Sequence, residues 1–411
     1  MAKVLEGIKV VQLANFIAAP AAGRYLADYG ADVVIVEASK GDPLRYTQAQ
    51  EGRPQNMLEN TTWEYLNGNK RCISLNTKTP EGMEALHKML EGADVLITNW
   101  RLGALQRAGL DYDTLKEKYP KLIYSMVLGY GLTGPDKDLP GYDFTAFFGR
   151  GGYTENLRKR GGQPITMLPG LGDNNAGLML ALGIMTALYK RQTTGKGDFV
   201  SASLYETAIF NQSVMLMGAQ YDGAARHYPI SVYDNLNTLN NAFATSDDRL
   251  IQCAMPDYDP RFEHFCQVIG RQDMIDSGKF YPQAHMIEEG NVPECYDEFV
   301  KTFKTKTYEE WKQILTEGDI PFSLAYSWSE ILNDPQANAV GAFYDCTCPN
   351  GVVRKVTHTP VRIASEGELE GRTAPLIGEQ GVEVLKEVGY SDEKISEMLE
   401  SGALYVWKPE N

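Results

Sequence analysis

Short apolar runs alternate with amphipathic segments along the first part of the chain. Four runs rich in β-branched residues predict buried strands, over residues 8–13, 32–37, 94–98 and 122–128. The segments between them predict helices, over residues 20–30, 80–91 and 113–119. Repeated strand–helix units of this kind predict an α/β fold, in which helices cover a Rossmann-like parallel sheet on both faces.

The longest apolar segment of helical character covers residues 173–191. Small residues recur along it and allow neighbouring backbones to approach closely, so we expect this helix to be deeply buried. Many Asn, Tyr and Gly residues after position 221 indicate a connecting loop, and a separate strand–helix alternation follows. We therefore expect a discontinuous large domain over 1–224 and 326–411, with a smaller α/β domain inserted over 225–325.

The composition is that of a globular protein, with 43% hydrophobic and 23% charged residues. The net charge of −15 argues against nucleic acid as a partner, and an anionic substrate then requires locally placed Lys and Arg. No uncharged apolar run approaches the roughly 20 residues of a membrane helix, and no apolar signal segment opens the chain. We expect a soluble cytoplasmic protein that does not bind a membrane.

Six cysteines are spread over the chain, which favours reduced thiols over a disulfide framework. Cys346 and Cys348 are the one close pair. Their C-x-C spacing lacks the second pair or the nearby histidines of zinc sites. We expect ordinary thiols here and no metal.

Residues 129–134 match the G-x-G-x-x-G pattern of dinucleotide-binding proteins and follow a predicted strand. That fingerprint requires a helix to begin at the glycines, because its N-terminal N–H groups hold the pyrophosphate. The next residues, 135–141, contain two prolines and predict a loop. The pattern therefore does not indicate a nicotinamide site.

Asp173 follows Pro169-Gly-Leu-Gly172 at the start of the long predicted helix. An Asp in this position commonly caps the helix. The same position suits a nucleophile, since a helix N-terminus stabilises a carboxylate and is expected to keep its pKa at or below about 3.9. Gly170 and Gly172 let the backbone approach a bound thioester closely. Residue chemistry alone leaves both roles open.

Eight short motifs occur in order along nearly the whole chain: Asn15-Phe-Ile-Ala-Ala-Pro20, Gly41-Asp-Pro43, Asn67-Gly-Asn-Lys-Arg71, Asn99-Trp-Arg101, Gly129-Tyr-Gly131, Gly141-Tyr-Asp143, Pro169-Gly-Leu-Gly-Asp173 and Thr194-Gly-Lys-Gly197. With them the chain resembles the class III (CaiB/BaiF) CoA-transferase family. Within that family it is similar to the enzymes of amino-acid fermentation that act on 2-hydroxy acids such as 2-hydroxyisocaproate and phenyllactate. Residues 98–101, 134–141 and 145–148 carry this narrower similarity.

The resemblance implies an acyl-CoA and a 2-hydroxy acid as substrates, with no cofactor beyond coenzyme A itself. Asp173 takes the position of the nucleophile, which forms an aspartyl anhydride and then an aspartyl-CoA thioester. Around it, Gly170 and Gly172 are candidates to hold the oxyanion, and Tyr142 and Asp143 to orient the reacting groups. The CoA-contacting positions of the family fall on Leu75, Lys78, Asn99, Trp100, Arg101 and Arg107. The family fold also implies an interlaced homodimer.

Departures from the family pattern concern the CoA contacts and the kind of acyl group that the site would accept. Ala38 stands where a basic residue often contacts CoA, so that contact is missing or supplied from elsewhere. Oxalate-specific relatives carry a Gln where this chain has Ile17, and a Gly-rich loop where it has residues 235–241. Ile17, Phe147 and Phe148 therefore predict an apolar acyl pocket.

Two other functions remain as alternatives. A 2-methylacyl-CoA racemase has the same fold, but it uses a His where this chain has Tyr142, and a tyrosine with a pKa of about 10 is a poor base at neutral pH. A non-catalytic CoA-binding subunit is the second alternative.

Overall fold

A computed structural model describes residues 3–221, 228, 231–367 and 371–408 of the chain. The chain forms two compact units, of which unit 1 comprises Met1–Tyr153, Thr166–Ser213 and Pro335–Asn411, and unit 2 comprises Thr154–Ile165 and Val214–Asp334. The domain boundaries expected at 225 and 325 therefore lie after Ser213 and after Asp334. The smaller unit also contains the segment 154–165, which the sequence did not indicate. An ion pair of 2.6 Å between Arg160 and Asp234 links this segment to the rest of unit 2.

Unit 1 contains a seven-stranded sheet in the order β12-β3-β2-β1-β4-β5-β6. Strands β1 to β6 are parallel to one another, and β12 pairs antiparallel with β3. Their bounds are β1 Lys9–Leu13, β2 Asp32–Glu37, β3 Arg71–Leu75, β4 Val95–Thr98, β5 Ile123–Leu128, β6 Phe199–Ser203 and β12 Leu404–Tyr405. The order 3-2-1-4-5-6 is that of a Rossmann sheet, which confirms the expected fold class.

Two of the parallel strands were not predicted. β3 begins with Arg71 and carries Ser74, and β6 carries Ser201 and Ser203, so polar residues interrupt the apolar run in both strands. A short hairpin completes the strands of unit 1, with β10 Phe343–Thr347 pairing antiparallel with β11 Val353–Thr357.

Helices pack on both faces of the large sheet, as expected. Those lying within unit 1 are α1 Ala18–Asp28, α2 Thr61–Asn67, α3 Pro80–Glu91, α4 Leu102–Ala108, α5 Tyr112–Lys118, α7 Leu171–Thr194, α8 Leu204–Asn211, α16 Pro335–Ala339, α17 Gly381–Glu387 and α18 Asp392–Ser401. Two short helices begin at the last residue of a unit 1 segment, α6 Tyr153–Asn156 and α9 Ser213–Gly218. A π-helical turn covers Asp143–Gly149.

The long helix α7 differs from the expectation of deep burial. Its inner face lies against α1, where Gly177 is so close that an added Cβ would come within 2.5 Å of the Ala18 carbonyl oxygen. Its opposite face is exposed and apolar, with Leu178, Leu182, Met185 and Tyr189 along it. The apolar character of this segment predicts burial on all sides, whereas only one face of the helix is buried within the chain.

Unit 2 is a smaller α/β body with a core of its own. Its antiparallel sheet consists of β7 Ala242–Ala244, β8 Leu250–Cys253 and β9 Phe322–Leu324. Its helices are α10 Tyr258–Val268, α11 Gln272–Asp276, α12 Gln283–Glu288, α13 Val292–Phe303, α14 Tyr308–Glu317 and α15 Trp328–Asn333. Residues 235–241 are a packed loop of this unit, in which Thr238 and Leu239 are fully buried. Among the described residues no helix is long and apolar enough to cross a membrane.

Candidate active site

A cavity of about 640 Å³ opens at the carboxyl edge of the parallel sheet. The loops that follow β1 and β4 both line it. The strand order reverses between these two neighbouring strands, and such a position is the usual ligand site of this kind of sheet. The lining residues are 15–18, 99–104, 107, 127–129, 137–142, 173 and 204. Of the predicted site residues, the cavity brings together Ile17, Asn99, Trp100, Arg101, Arg107, Tyr142 and Asp173.

The Asp173 carboxylate is partly buried in the first turn of α7 but does not cap the helix. Gly170, with φ of 81°, is the N-cap residue, and the capping carboxylate comes from Asp143 instead. The Gly170 N–H donates to Asp143 Oδ2 over 2.6 Å. No hydrogen bond joins the Asp173 side chain to any residue that the structure describes, so its oxygens are free to react.

The pKa of Asp173 is raised to about 7, opposite to the expected direction. Burial, which removes water from the carboxylate, is the larger cause, and the negative charge of Asp143 adds to it. The helix N-terminus does not offset these effects, because Asp143 already accepts its N–H bonds. A charged Asp173 is thus a poorly solvated anion beside a second carboxylate.

Gly170 and Gly172 do not line the cavity, and the Gly170 N–H is already donated to Asp143. This contradicts the expectation that Gly170 donates to an oxyanion. Gly172 has a packing role, because an added Cβ would lie 2.2 Å from the Phe147 ring and 2.4 Å from Asp143 Oδ1. Gly172 therefore lets Asp143 and Phe147 pack closely against the start of α7.

Three cationic side chains line the cavity. Arg101 and Arg107 lie at the two ends of α4, and Lys137 lies in the loop after β5. None of the three makes an ion pair with any residue in the described part of the chain. The acidic protein therefore supplies the local positive charge that an anionic substrate requires. Lys137 was not predicted individually, although it lies within the 134–141 segment that carries the family resemblance.

Asn99 and Trp100 support the cavity wall. The Asn99 side chain accepts the Asn15 N–H (3.1 Å) and donates to the Asn15 carbonyl (2.7 Å), so both of its polar ends are engaged. Phe16, which the sequence did not single out, follows with a left-handed φ of 62°. Its N–H donates to both oxygens of Asp42, at 3.1 and 3.0 Å. This unusual conformation places the Phe16 ring in the cavity, edge-on to Tyr142 at 6.2 Å between ring centroids.

Several predicted residues lie outside the cavity. Leu75 is buried at the end of β3 and Lys78 is exposed beyond it, on the carboxyl edge but two strands from β1. Phe147 and Phe148 are buried in the core and do not line the cavity, which corrects their assignment to the acyl pocket. They point inward because the π-helical turn that carries them packs on α7 and α8.

These features define a class of protein, an α/β enzyme with a carboxylate that has no hydrogen-bond partner among the described residues, in a cation-lined cavity at the sheet switch point. The family model "CoA-transferase family III" matches residues 5–381. The chain belongs to this family and is a class III CoA-transferase, which confirms the resemblance seen in the sequence.

Individual members of the family are similar to this chain over nearly its whole length. The chain is 45% identical over 395 residues to a cinnamoyl-CoA:phenyllactate CoA-transferase of Clostridium sporogenes, with 96% of each chain covered. It is 39% identical over 398 residues to an (R)-2-hydroxy-4-methylpentanoate CoA-transferase of Clostridioides difficile, with 97% of this chain and 98% of the relative covered. A crystal structure of a CAIB/BAIF family protein from Brucella suis superposes with a TM-score of 0.80 at 26% identity, covering 94% of this chain and 100% of the other.

Proposed function

We propose that this enzyme moves CoA from an aryl-acyl-CoA donor to the carboxylate of a 2-hydroxy acid, with Asp173 as the nucleophile. The observation that carries the proposal is the Asp173 carboxylate, which lies at a cavity lined by Arg101, Arg107 and Lys137 and has no hydrogen-bond partner among the described residues. A carboxylate that is not held by hydrogen bonds within the protein is available as a nucleophile for covalent catalysis. The three cations suit the phosphates of CoA.

The proposed chemistry exchanges one acyl bond for another. Asp173 attacks the donor thioester, the C–S bond breaks, and an aspartyl anhydride and CoA thiolate form. The thiolate then attacks the aspartyl carbonyl and releases the donor acid, leaving an aspartyl-CoA thioester. The 2-hydroxy acid carboxylate attacks this thioester and releases CoA thiolate, which leaves a new aspartyl anhydride. The thiolate then attacks the 2-hydroxyacyl carbonyl of this anhydride, so that 2-hydroxyacyl-CoA forms and the Asp173 carboxylate is released. Both intermediates hydrolyse easily, so the site must exclude water.

The walls of the cavity support an aromatic substrate. Phe16 and Tyr142 form an edge-to-face pair at its surface, and Ile17 lies beside them. Aromatic pairs of this kind accommodate a third ring at favourable edge or stacked geometry. Phenyllactate and cinnamoyl-CoA, the substrates in the name of the Clostridium sporogenes relative, are aryl compounds of this type. We place the reaction in the cytoplasm, within amino-acid fermentation.

A panel of 2-hydroxy acids with one acyl-CoA donor tests the proposal. We expect phenyllactate to be used best, 2-hydroxy-4-methylpentanoate more slowly, and oxalate or formate hardly at all. Exchange of the α-proton of a 2-methylacyl-CoA without transfer would instead support the racemase. CoA binding with neither activity would support a non-catalytic subunit. Either result, or preference for oxalate, would contradict the proposal.

We also propose a homodimer that buries the exposed face of α7. Leu178, Leu182, Met185 and Tyr189 follow a spacing of three and four residues and form one continuous apolar stripe. The neighbouring α8 adds Phe210, which is 68% exposed. Exposed apolar stripes of this size usually mark an interface. The interlaced arrangement expected from the family gives this stripe an occupant, a second copy of the chain.

A further inference from the structure

A second cluster of ionisable side chains lies in unit 1, where the β10–β11 hairpin meets α2. Cys346 is in β10 and Cys348 follows in the turn, whose backbone is closed by a bond from the Cys348 N–H to the Val352 carbonyl (2.8 Å). Glu64 reaches the same point from α2. None of the three lines the proposed active-site cavity, so the transfer reaction does not explain them.

The three ligand atoms form a compact triangle. All lie within 4.8 Å of one another, and Cys346 Sγ is 3.5 Å from Glu64 Oε2. In a tetrahedral zinc site with Zn–S of about 2.3 Å and Zn–O of about 2.0 Å, a sulfur and an oxygen ligand are about 3.5 Å apart, and two sulfurs about 3.8 Å. The Glu64 to Cys346 distance already equals the first of these edges.

The ligand groups are shielded from solvent, and the charges of Arg24 and Arg45 act on Glu64. Glu64, Cys346 and Cys348 are each at most 3% exposed, and Glu64 makes no ion pair with any residue in the described ranges. One of its oxygens accepts the Ala374 N–H over 2.6 Å. Burial raises the pKa of Glu64 to about 7 and that of Cys346 to about 12, so without a cation these groups retain protons. A divalent cation would replace those protons, as it does at thiolate sites in general.

We propose that Cys346, Cys348 and Glu64 form a binding site for a zinc-type divalent cation, with a water molecule as the fourth ligand. Each thiol releases its proton as its metal–sulfur bond forms, and Glu64 binds as the carboxylate. The C-x-C spacing alone predicted no metal, because it supplies two ligands, and the fold adds the third from a residue 282 positions away. The cation would join the hairpin to α2.

Cobalt titration tests the site directly. Untagged, reduced and chelator-treated protein is titrated with Co²⁺, which has visible bands in tetrahedral sites and a near-ultraviolet charge-transfer band when thiolates bind it. We expect both signals to saturate at one equivalent per chain, with proton release, and to disappear when Zn²⁺ is added. The Cys346→Ser and Cys348→Ser variants should lose the charge-transfer band. Cys266→Ser, a buried cysteine of unit 2, should keep it.

Glu64→Gln separates the ligand role from the packing role, because its amide oxygen still accepts the Ala374 N–H. We expect Co²⁺ affinity to fall at least about tenfold, the loss that follows even from removing an outer-shell partner.

If the cysteine variants fail to fold, alkylation of the wild-type protein followed by peptide mapping tests the site instead. Zn²⁺ should slow the labelling of Cys346 and Cys348 but not of Cys266. A wild-type cobalt spectrum without sulfur charge transfer, or equal labelling with and without Zn²⁺, would show that the three groups only hydrogen-bond, and would overturn the proposal.

Discussion

The Asp173 carboxylate lies between two opposing influences. Its place in the first turn of α7 should stabilise the anion, but burial and the neighbouring Asp143 raise its pKa to about 7. The motif identified Asp173 as a candidate nucleophile, yet it could not give the direction of this pKa shift. That direction depends on Asp143 occupying the helix N-terminus, a contact between residues 27 positions apart.

The pH profile should reflect this raised pKa. Because only the carboxylate attacks a thioester, we expect kcat/KM to rise with pH through about 7 and then level off. Asp143→Asn removes the nearby charge but keeps an acceptor for the Gly170 N–H, so its acid limb should move to lower pH. An acid limb near pH 4 in the wild type, or an upward move in the variant, would count against this explanation.

Stability should depend on the same group. A carboxyl whose pKa is raised by folding costs stability once it ionises, and that cost grows as pH rises from about 4 through 7. Asp173→Asn should therefore be more stable than the wild type at pH 8, by on the order of 2–4 kcal/mol, with the difference closing at pH 4. Urea unfolding at both pH values measures it, with exposed Glu400→Gln as the control. An equal or smaller stability at pH 8 would be inconsistent with a raised pKa.

Lys137 tests the cation lining of the cavity. Lys137→Ala removes one unpaired charge from the wall, and a charge-assisted bond to phosphate contributes about 1.5–3 kcal/mol. We expect the KM for acyl-CoA to rise roughly tenfold or more, with little change in kcat. Exposed Lys196→Ala should leave both parameters unchanged. A Lys137→Ala variant with wild-type KM would remove Lys137 from the CoA site.

At the scale of elements, the sequence predicted the helices and strands with strong apolar runs and missed the weaker ones. β1, β2, β4 and β5 were recognised from continuous apolar residues, whereas β3 and β6 were not. Small residues in α7 correctly indicated a close helix contact, because Gly177 lies against α1. The exposed face of α7 was missed, since apolarity does not say whether the same chain or another covers a surface.

The contact between α7 and α1 should tolerate no added methyl group. In Gly177→Ala the new Cβ would lie 2.5 Å from the Ala18 carbonyl oxygen and 2.7 Å from the Ala21 Cβ, so the helices must move apart. We expect a loss of about 1–3 kcal/mol in the free energy of unfolding, with lower activity because Asp173 is on the same helix. Gly92→Ala, whose Cβ meets nothing nearer than 4.0 Å, is the matched control. Equal stability of the two variants would contradict this packing.

At the scale of the whole molecule, the sequence indicated the Rossmann-like sheet and the smaller α/β unit. It could not indicate contacts between distant segments. The 154–165 segment joins unit 2 through Arg160 and Asp234, and Glu64 meets Cys346 across most of the chain. Such pairs leave no local pattern, because each residue alone is an ordinary charged or apolar position.

The proposed dimer is testable at this scale. Leu182→Glu places a charge in the middle of the exposed α7 stripe, where Leu182 is 62% exposed in the single chain. Sedimentation should show a dimer for the wild type and a monomer for the variant, because burying an unpaired carboxylate is costly. Leu399→Glu, at an exposed position on α18, should remain dimeric. A monomeric wild type would refute the proposed interface.

The central claim is that Asp173 carries the acyl group, and the most direct test is to trap the activated Asp173 carboxylate chemically. Hydroxylamine added during incubation with acyl-CoA should convert the activated Asp173 to a hydroxamate, which adds mass to the peptide that contains residue 173. Asp173→Asn should show no such adduct, and neither should wild-type enzyme without acyl-CoA. An unmodified Asp173 in enzyme that is turning over, or an adduct on another carboxylate, would contradict the claim.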